Sequence, residues 1–417
     1  MKKPVVIIGG GLAGLACAVR LQQAGLPVRL LEASSRFGGR CGSDQVNGIT
    51  FDRGFQVYLD SYPEPSRLLR LSELDLRPFI PGALIRLGNR FWTWIDPFRR
   101  PDALLSTAVS PVSGLKDKIR LARFRSDLLG RAWNDLYHDN LSTLDYLRWR
   151  GFSERIIQHF FRPFYGGVFL EDQLQTSSRV FEFTFRMFAR GNATLPARGM
   201  QAIVDQLVNQ LSPDTIHLNS RVVSIEQNDV RIDNGSTLSA GAVIIATEPD
   251  VASKLIRIDF PRSKAWVGTT CLYFLARKSP VNRPILVLNA ELNDPVQHLC
   301  VLSDVCPEYL PRGGALISCT VLGTDPQDLE QKVIAQMVRW FGTDARTWQH
   351  IKTYALPQAL PLQSPDRIQT VWVNPRIRPG LYVAGDHCDF ASINGAFASA
   401  RRCVQAVLGD SSKIWEA

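Results

Sequence analysis

The chain has 417 residues, 45% hydrophobic, 21% charged and 9% aromatic. This excludes a disordered, collagenous or disulfide-stapled protein and leaves room for two or three domains with cores of their own. Its 48 Lys and Arg against 39 Asp and Glu give a net charge of +9, but the arginines are spread along the chain, so a solvated basic surface is expected and no nucleic-acid partner. The eight cysteines contain no C-x-x-C pair, which points away from a metal cluster or dithiol motif and suits a reducing, cytoplasmic compartment.

Lys2 and Lys3 before the uncharged residues 4–19 imitate a secretion signal, but the centre of that run is Gly9-Gly10-Gly11. At 16 residues it also falls short of the roughly 20 needed to span a bilayer. Val5-Val6-Ile7-Ile8 instead reads as a central parallel strand leading into Gly9-Gly10-Gly11-Leu12-Ala13-Gly14, with helix formers at 15–24 closed by Gly25. Gly9, Gly11 and Gly14 fit G-x-G-x-x-G in its strand, turn and helix setting. That spacing serves a tight turn, a close approach of backbone to a pyrophosphate, and close packing of helix on strand, with the amides around Leu12 and Ala13 facing the phosphates. A second strand at 28–31 ends at Glu32, 18 positions after Gly14. A carboxylate there suits two ribose hydroxyls and repels a 2′-phosphate.

Residues 32–40, Glu-Ala-Ser-Ser-Arg-Phe-Gly-Gly-Arg, match the EA-x-x-R-x-GGR signature of the flavin amine oxidase, phytoene desaturase and protoporphyrinogen oxidase superfamily. The chain resembles its desaturase-like branch. The resemblance implies non-covalent FAD, with Glu32 and Ala33 at the ribose, Arg36 and Arg40 beside the adenosine and pyrophosphate, and Gly38-Gly39 letting backbone pass under the flavin. Arginine supplies planar charge-assisted donors suited to phosphate oxygens. Asp52-Arg53-Gly54-Phe55-Gln56 resembles the family's next element, a strand and turn near the isoalloxazine.

Farther along, Phe91-Trp92-Thr93-Trp94 is apolar, and 115–132 reads as an amphipathic helix with Leu115, Ile119, Ala122 and Phe124 among five basic residues. Residues 144–148 and 155–161 read as further helical pieces. The aromatic stretch 160–170 is followed by Phe181, Phe183, Phe185, Met187 and Phe188, most of it expected as core. The run Arg162-Pro163-Phe164-Tyr165-Gly166-Gly167-Val168-Phe169, followed by Leu195-Pro196-Ala197-Arg198-Gly199-Met200, resembles members acting on isoprenoids or carotenoids, for which a long apolar tunnel is expected.

Residues 221–226 alternate as a strand, and 242–247 read as a buried one. The resemblance places the backbone of Val222 or Val223 against adenine. Residues 266–276 and 315–322 are strand-like. Flavin amine oxidases carry a water-bridged lysine in such a strand and two rings around the substrate nitrogen. Here Thr270 takes the lysine's place, Ile393 that of one ring, and Tyr354 alone makes no cage, so classical amine oxidation is disfavoured.

A strand at 380–386 ends at Gly385-Asp386, and a helix starts near Asn394-Gly395-Ala396 and runs to Leu408. By resemblance Asp386 bonds a ribityl hydroxyl, and the amides around Ile393, Asn394 and Ala396 face the flavin N1/C2=O edge, where a positive helix end favours the reduced form. His387 reads as structural, and no catalytic residue is assigned.

The expected fold is α/β, a Rossmann-like three-layer ββα FAD-binding domain from 1–74, 195–250 and 364–417 with a mixed α+β substrate-binding domain from 75–194 and 251–363. The expected function is hydride transfer from a substrate carbon to flavin N5, desaturating or isomerising an apolar isoprenoid or carotenoid-type substrate, with oxygen or a quinone as electron acceptor. An amine or protoporphyrinogen-type oxidase, and a non-catalytic prenyl-lipid or prenyl-protein binding factor, stay open as alternatives. An apolar substrate resides in membranes, so a cytoplasmic protein touching the bilayer peripherally through 115–132 or 91–98 is expected.

Overall fold

A run of four β-branched residues is sheltered best in the middle of a sheet, and Val5–Ile8 lies there, buried on both faces. The computed structural model describes residues 3–131, 140–257, 265–291, 294–324, 327–370 and 372–410. In it Val5–Ile8 pairs in parallel with Val28–Leu31 on one side and Ala242–Ile245 on the other. Ile216–His217 continues the sheet beyond Val28–Leu31, while Leu381–Val383 and the antiparallel Arg376–Arg378 continue it beyond Ala242–Ile245. Val5 and Ile7 pack on the helices Leu12–Gln23 and Ile393–Gly409. Val6 and Ile8 pack on an antiparallel meander of Val222–Glu226, Asp229–Ile232 and Thr237–Ser239. Helix layer, parallel sheet and meander make the expected three-layer α/β fold.

A second sheet of seven strands runs in the order Gln349–Pro361, Trp266–Ala276, Ala315–Leu322, Val296–Val301, Leu286–Asn289, Gly82–Leu87 and Arg90–Ile95. Side chains alternate across it. Leu272, Phe274, Ile317, Cys319 and Val321 face outward onto the helix Leu329–Phe341. Cys271, Tyr273, Cys300 and Leu316 face inward with Phe51 and Phe79. Tyr273 and Tyr309 fasten this inner face to Asp52, donating to its carbonyl and its Oδ2 at 2.7 Å each.

Two local expectations change. The helix expected at 115–132 is Leu115–Gly130, with Ala132 outside the described residues, and Leu115 and Ile119 are exposed while Phe124 and Leu128 are buried. Asp117 takes a buried place instead, because it accepts from Ser153 N at 3.0 Å and Ser153 Oγ at 2.6 Å. The piece expected at 155–161 widens to a π-type turn over Ile157–Phe161 before Arg162–Phe169. Pro163 explains the widening, since its nitrogen has no hydrogen and its ring crowds the preceding turn. The aromatic residues of 160–188, by contrast, pack largely on one another, as expected of core. Phe161, Tyr165 and Phe181 are buried and in mutual contact with Phe124 and Phe152.

Candidate functional site

The glycine turn after Val5–Ile8 separates two requirements. A side chain at Gly14 would place Cβ 1.9 Å from Gly9 O, so the helix seats on the strand only with glycine there. Gly9 itself has φ +105°, a backbone that L side chains rarely adopt. At Gly11 a Cβ would meet nothing within 4 Å, and its φ of −72° suits any residue. Packing does not require Gly11, and glycine there leaves the backbone open to the approach of a ligand. The helix that starts at Leu12 has no side-chain cap and no acid in its first turn, which leaves the amides around Leu12 and Ala13 for an anion.

The loop that follows folds back over this turn, with Gly38 N donating to Gly10 O at 2.8 Å. Glu32 is oriented by two amides, Gly10 N at 2.7 Å and Ser34 N at 2.8 Å. A carboxylate offers about four acceptor sites, so two remain for ribose hydroxyls. Ala33 is exposed beside it. Arg36 donates to Gly39 O at 3.0 Å, so in this structure it braces the Gly38-Gly39 passage.

Arg40 reaches the other end of the chain. It donates to Asp386 Oδ1 at 2.6 Å and to Ala359 O at 3.2 Å, with its guanidinium 5.5 Å from the Trp266 ring centroid. Burial pushes the Asp386 carboxyl upward, but Arg40 outweighs that and holds it below the ordinary carboxylate range. Gln56 donates to Arg40 O at 3.0 Å and Arg53 O at 2.8 Å, tying the turn at 52–56 to this loop. Sequence reasoning overlooked Trp266 and the role of Gln56; both contacts join segments far apart in the chain.

At the C-terminal helix, Ser392 caps by accepting from Gly395 N at 2.9 Å. Ala396 N donates to Ser392 O at 3.0 Å, so its amide is used within the helix and the expectation that it faces the flavin is corrected. Asn394 turns its side chain to accept from Glu64 N at 3.1 Å. The backbone amides of Ile393 and Asn394, ahead of the first intrahelical bond, are the ones left for a ligand. In the meander a β-bulge falls between Val222 and Ser224, which puts the half-exposed Val223 outside the ladder. Its backbone groups are thereby available for an adenine edge.

The residues compared with amine oxidases fall elsewhere. Thr270 pairs with Val321 on the outward side of the seven-stranded sheet and donates to Gly323 O at 2.9 Å. It does not share the inward face of Cys271 and Tyr273. Tyr354 donates to Asp44 Oδ2 at 2.6 Å, and that carboxylate also binds Arg53 at 2.8 Å. His387 is buried behind Asp386, its Nδ1 3.9 Å from Oδ1.

An open cradle at Gly11, uncapped helix amides, an oriented acid at Glu32 and an Arg40–Asp386 pair fit FAD. The family model for flavin containing amine oxidoreductase matches residues 12–408. The 15-cis-phytoene desaturase of Glycine max is 23% identical, covering 98% of this chain and 80% of the relative. Protoporphyrinogen oxidase 2 of Arabidopsis thaliana is 22% identical, covering 97% and 94%. A solved oxidoreductase from Methanosarcina mazei shares the fold with TM-score 0.74 at 18% identity, over 98% of this chain and 100% of its own. Because the family match runs from the helix of the glycine turn to the last turn of the C-terminal helix and takes in the whole seven-stranded sheet, the chain belongs to the flavin containing amine oxidoreductases and is an FAD-dependent oxidoreductase.

Proposed function

We propose that this oxidoreductase desaturates or isomerises an apolar isoprenoid or carotenoid-type molecule, bound between the turn at 52–56 and the inner face of the seven-stranded sheet. The observation that carries this reading is the chemistry of that face, where Phe51, Phe55 and Phe79 meet Cys271, Cys300 and Leu316. An amine would find no aromatic cage there, because Tyr354 is held by Asp44 and Thr270 points outward. FAD supplies a hydride acceptor, which asks for no acid/base dyad. The chain's own part is to hold the cofactor through residues 9–14, Glu32, Val223, Asp386 and the amides at Ile393 and Asn394, and to present the substrate carbon in a water-poor seam. A porphyrinogen is the second reading, favoured by the near full-length similarity to protoporphyrinogen oxidase 2.

The proposal extends to a cytoplasmic protein that touches an anionic bilayer peripherally. Among the described residues, no helix is long and apolar enough to cross a membrane. Phe98, Leu104, Leu105, Val109, Leu115 and Ile119 are all exposed, with the exposed Arg100, Lys116 and Arg123 near them in the chain. Apolar side chains with basic neighbours suit an interface rather than a span. Flotation with anionic vesicles is expected to carry the protein, and its absence from the floated fraction would refute the contact.

The substrate class is tested by anaerobic bleaching of the bound flavin. Detergent-dispersed polyenes and isoprenoids are expected to bleach it and amines to leave it yellow. Bleaching by amines alone would overturn the reading, and bleaching by porphyrinogens alone would replace it with the second.

A further inference from the structure

A transverse row of side chains crosses the inner face of the seven-stranded sheet. Leu288 pairs with His298, His298 with Thr320, Thr320 with Cys271, and Cys271 with Tyr354. One row along, Cys300, Ser318 and Tyr273 are also aligned, and the hydroxyls of Ser318 and Tyr273 are matched. Cys271 Sγ and Ser318 Oγ lie 3.1 Å apart, and Tyr273 OH donates to Asp52 O.

His298 and Thr320 differ from these neighbours. Their side chains are buried, 3% and 2% exposed, yet among the described residues neither ring nitrogen of His298 nor Oγ1 of Thr320 has a hydrogen-bond partner. Three polar atoms left unmatched in adjacent positions cost stability that an apolar pair would not. Backbone and an aromatic ring close over the imidazole without bonding to it. A Cβ at Gly167 would sit 2.6 Å from His298 Nδ1, so only glycine lets the helix Arg162–Phe169 pack this closely on the ring, and it offers Nδ1 no hydrogen-bonding group. The Phe55 ring lies 4.9 Å from the imidazole centroid, one residue from the Gln56 that holds Arg40. The pair therefore lies on the inward face of the sheet, beside the turn at 52–56.

We propose that His298 and Thr320 form a hydrogen-bonding point that receives a neutral oxygen, a hydroxyl or keto group, on an otherwise apolar substrate. The inference rests on the isoprenoid-type reading above and narrows it from plain hydrocarbons to oxygenated terpenoids. Burial lowers the His298 pKa to about 4, so near neutral pH the ring presents one N–H donor and one bare acceptor. With a hydroxyl beside it, that set matches an alcohol or ketone, whereas a carboxylate would call for a fixed cation.

The FAD-loaded protein is titrated with geranylgeraniol and, separately, with the saturated hydrocarbon phytane in the same detergent, reading the shift of the flavin absorbance. The wild type is expected to bind the alcohol about tenfold more tightly, and Thr320→Val and His298→Leu each to lose most of that preference while phytane binding stays unchanged. Melting temperatures are expected to hold or rise, since no protein hydrogen bond is removed. Thr320→Val is nearly isosteric and carries the test if His298→Leu does not fold. Equal wild-type affinity for both probes, an unchanged preference in Thr320→Val, or a drop of several degrees in its melting temperature would overturn the inference alone. Binding of neither probe would overturn the isoprenoid-type reading and this inference with it.

Discussion

The glycine turn and the inner face of the seven-stranded sheet are built on opposite principles. The turn works with backbone: Gly9, Gly11 and Gly14 lie within six residues, and what matters is where a side chain is missing. The inner face works with side chains from five different strands, brought into one row by pairings such as His298 with Thr320 and Cys271 with Tyr354. A site of missing side chains is damaged by adding atoms. A site of matched and unmatched polar atoms is damaged by changing chemistry at constant shape.

Substitutions at the turn should break this comparison most forcefully. Gly14→Ala is expected to cost about 3 kcal/mol or more in thermal unfolding, because its Cβ would overlap Gly9 O at 1.9 Å. Gly11→Val should behave differently, abolishing FAD retention through purification while the apoprotein melts within about 1 kcal/mol of wild type, since its Cβ enters open space. Full retention of FAD by that variant would remove the pyrophosphate from this turn. Glu32→Ala is expected to weaken FAD by about 1–3 kcal/mol, read by titrating the apoprotein, and an unchanged affinity would take the ribose away from this carboxylate.

On the sheet side the expected effect is smaller and depends on pH. His298 takes up its proton near pH 4 in the folded chain but near 6.5 when unfolded. As pH falls below about 6.5 the unfolded chain therefore binds the proton first, and stability declines through the window between these values. Urea midpoints of His298→Leu should fall less steeply than those of wild type across pH 6.5 to 4. Parallel slopes would mean that His298 already has a protein partner.

How much of this was legible in the chain follows the same division. Strand, turn, helix and acid in residues 5–32, and the Gly385-Asp386 and Ser392 to Ala396 block, are set by neighbours a few positions away, and the structure forms those elements. Even there the local reading had a limit. The choice of Ala396 missed that its amide closes the first helical turn on Ser392 O, and Arg40 was placed at phosphate without its bond to Asp386, 346 residues away.

In the substrate half the resemblance to amine oxidases puts Thr270 in the lysine's place, and a shift of one residue along a strand reverses the face entirely. The amphipathic pattern of 115–132 likewise left open which apolar residues face the protein, and the packing buries Phe124 and Leu128 while Leu115 and Ile119 stay exposed.

The sequence alone determined the cofactor and the layer that holds it, because those depend on residue type at short spacing. Tertiary structure alone decided which side of each strand faces inward, and that His298 and Thr320 stand together without partners among the described residues. Those outcomes depend on register and coverage between segments distant in the chain, and no local pattern of residues encodes them.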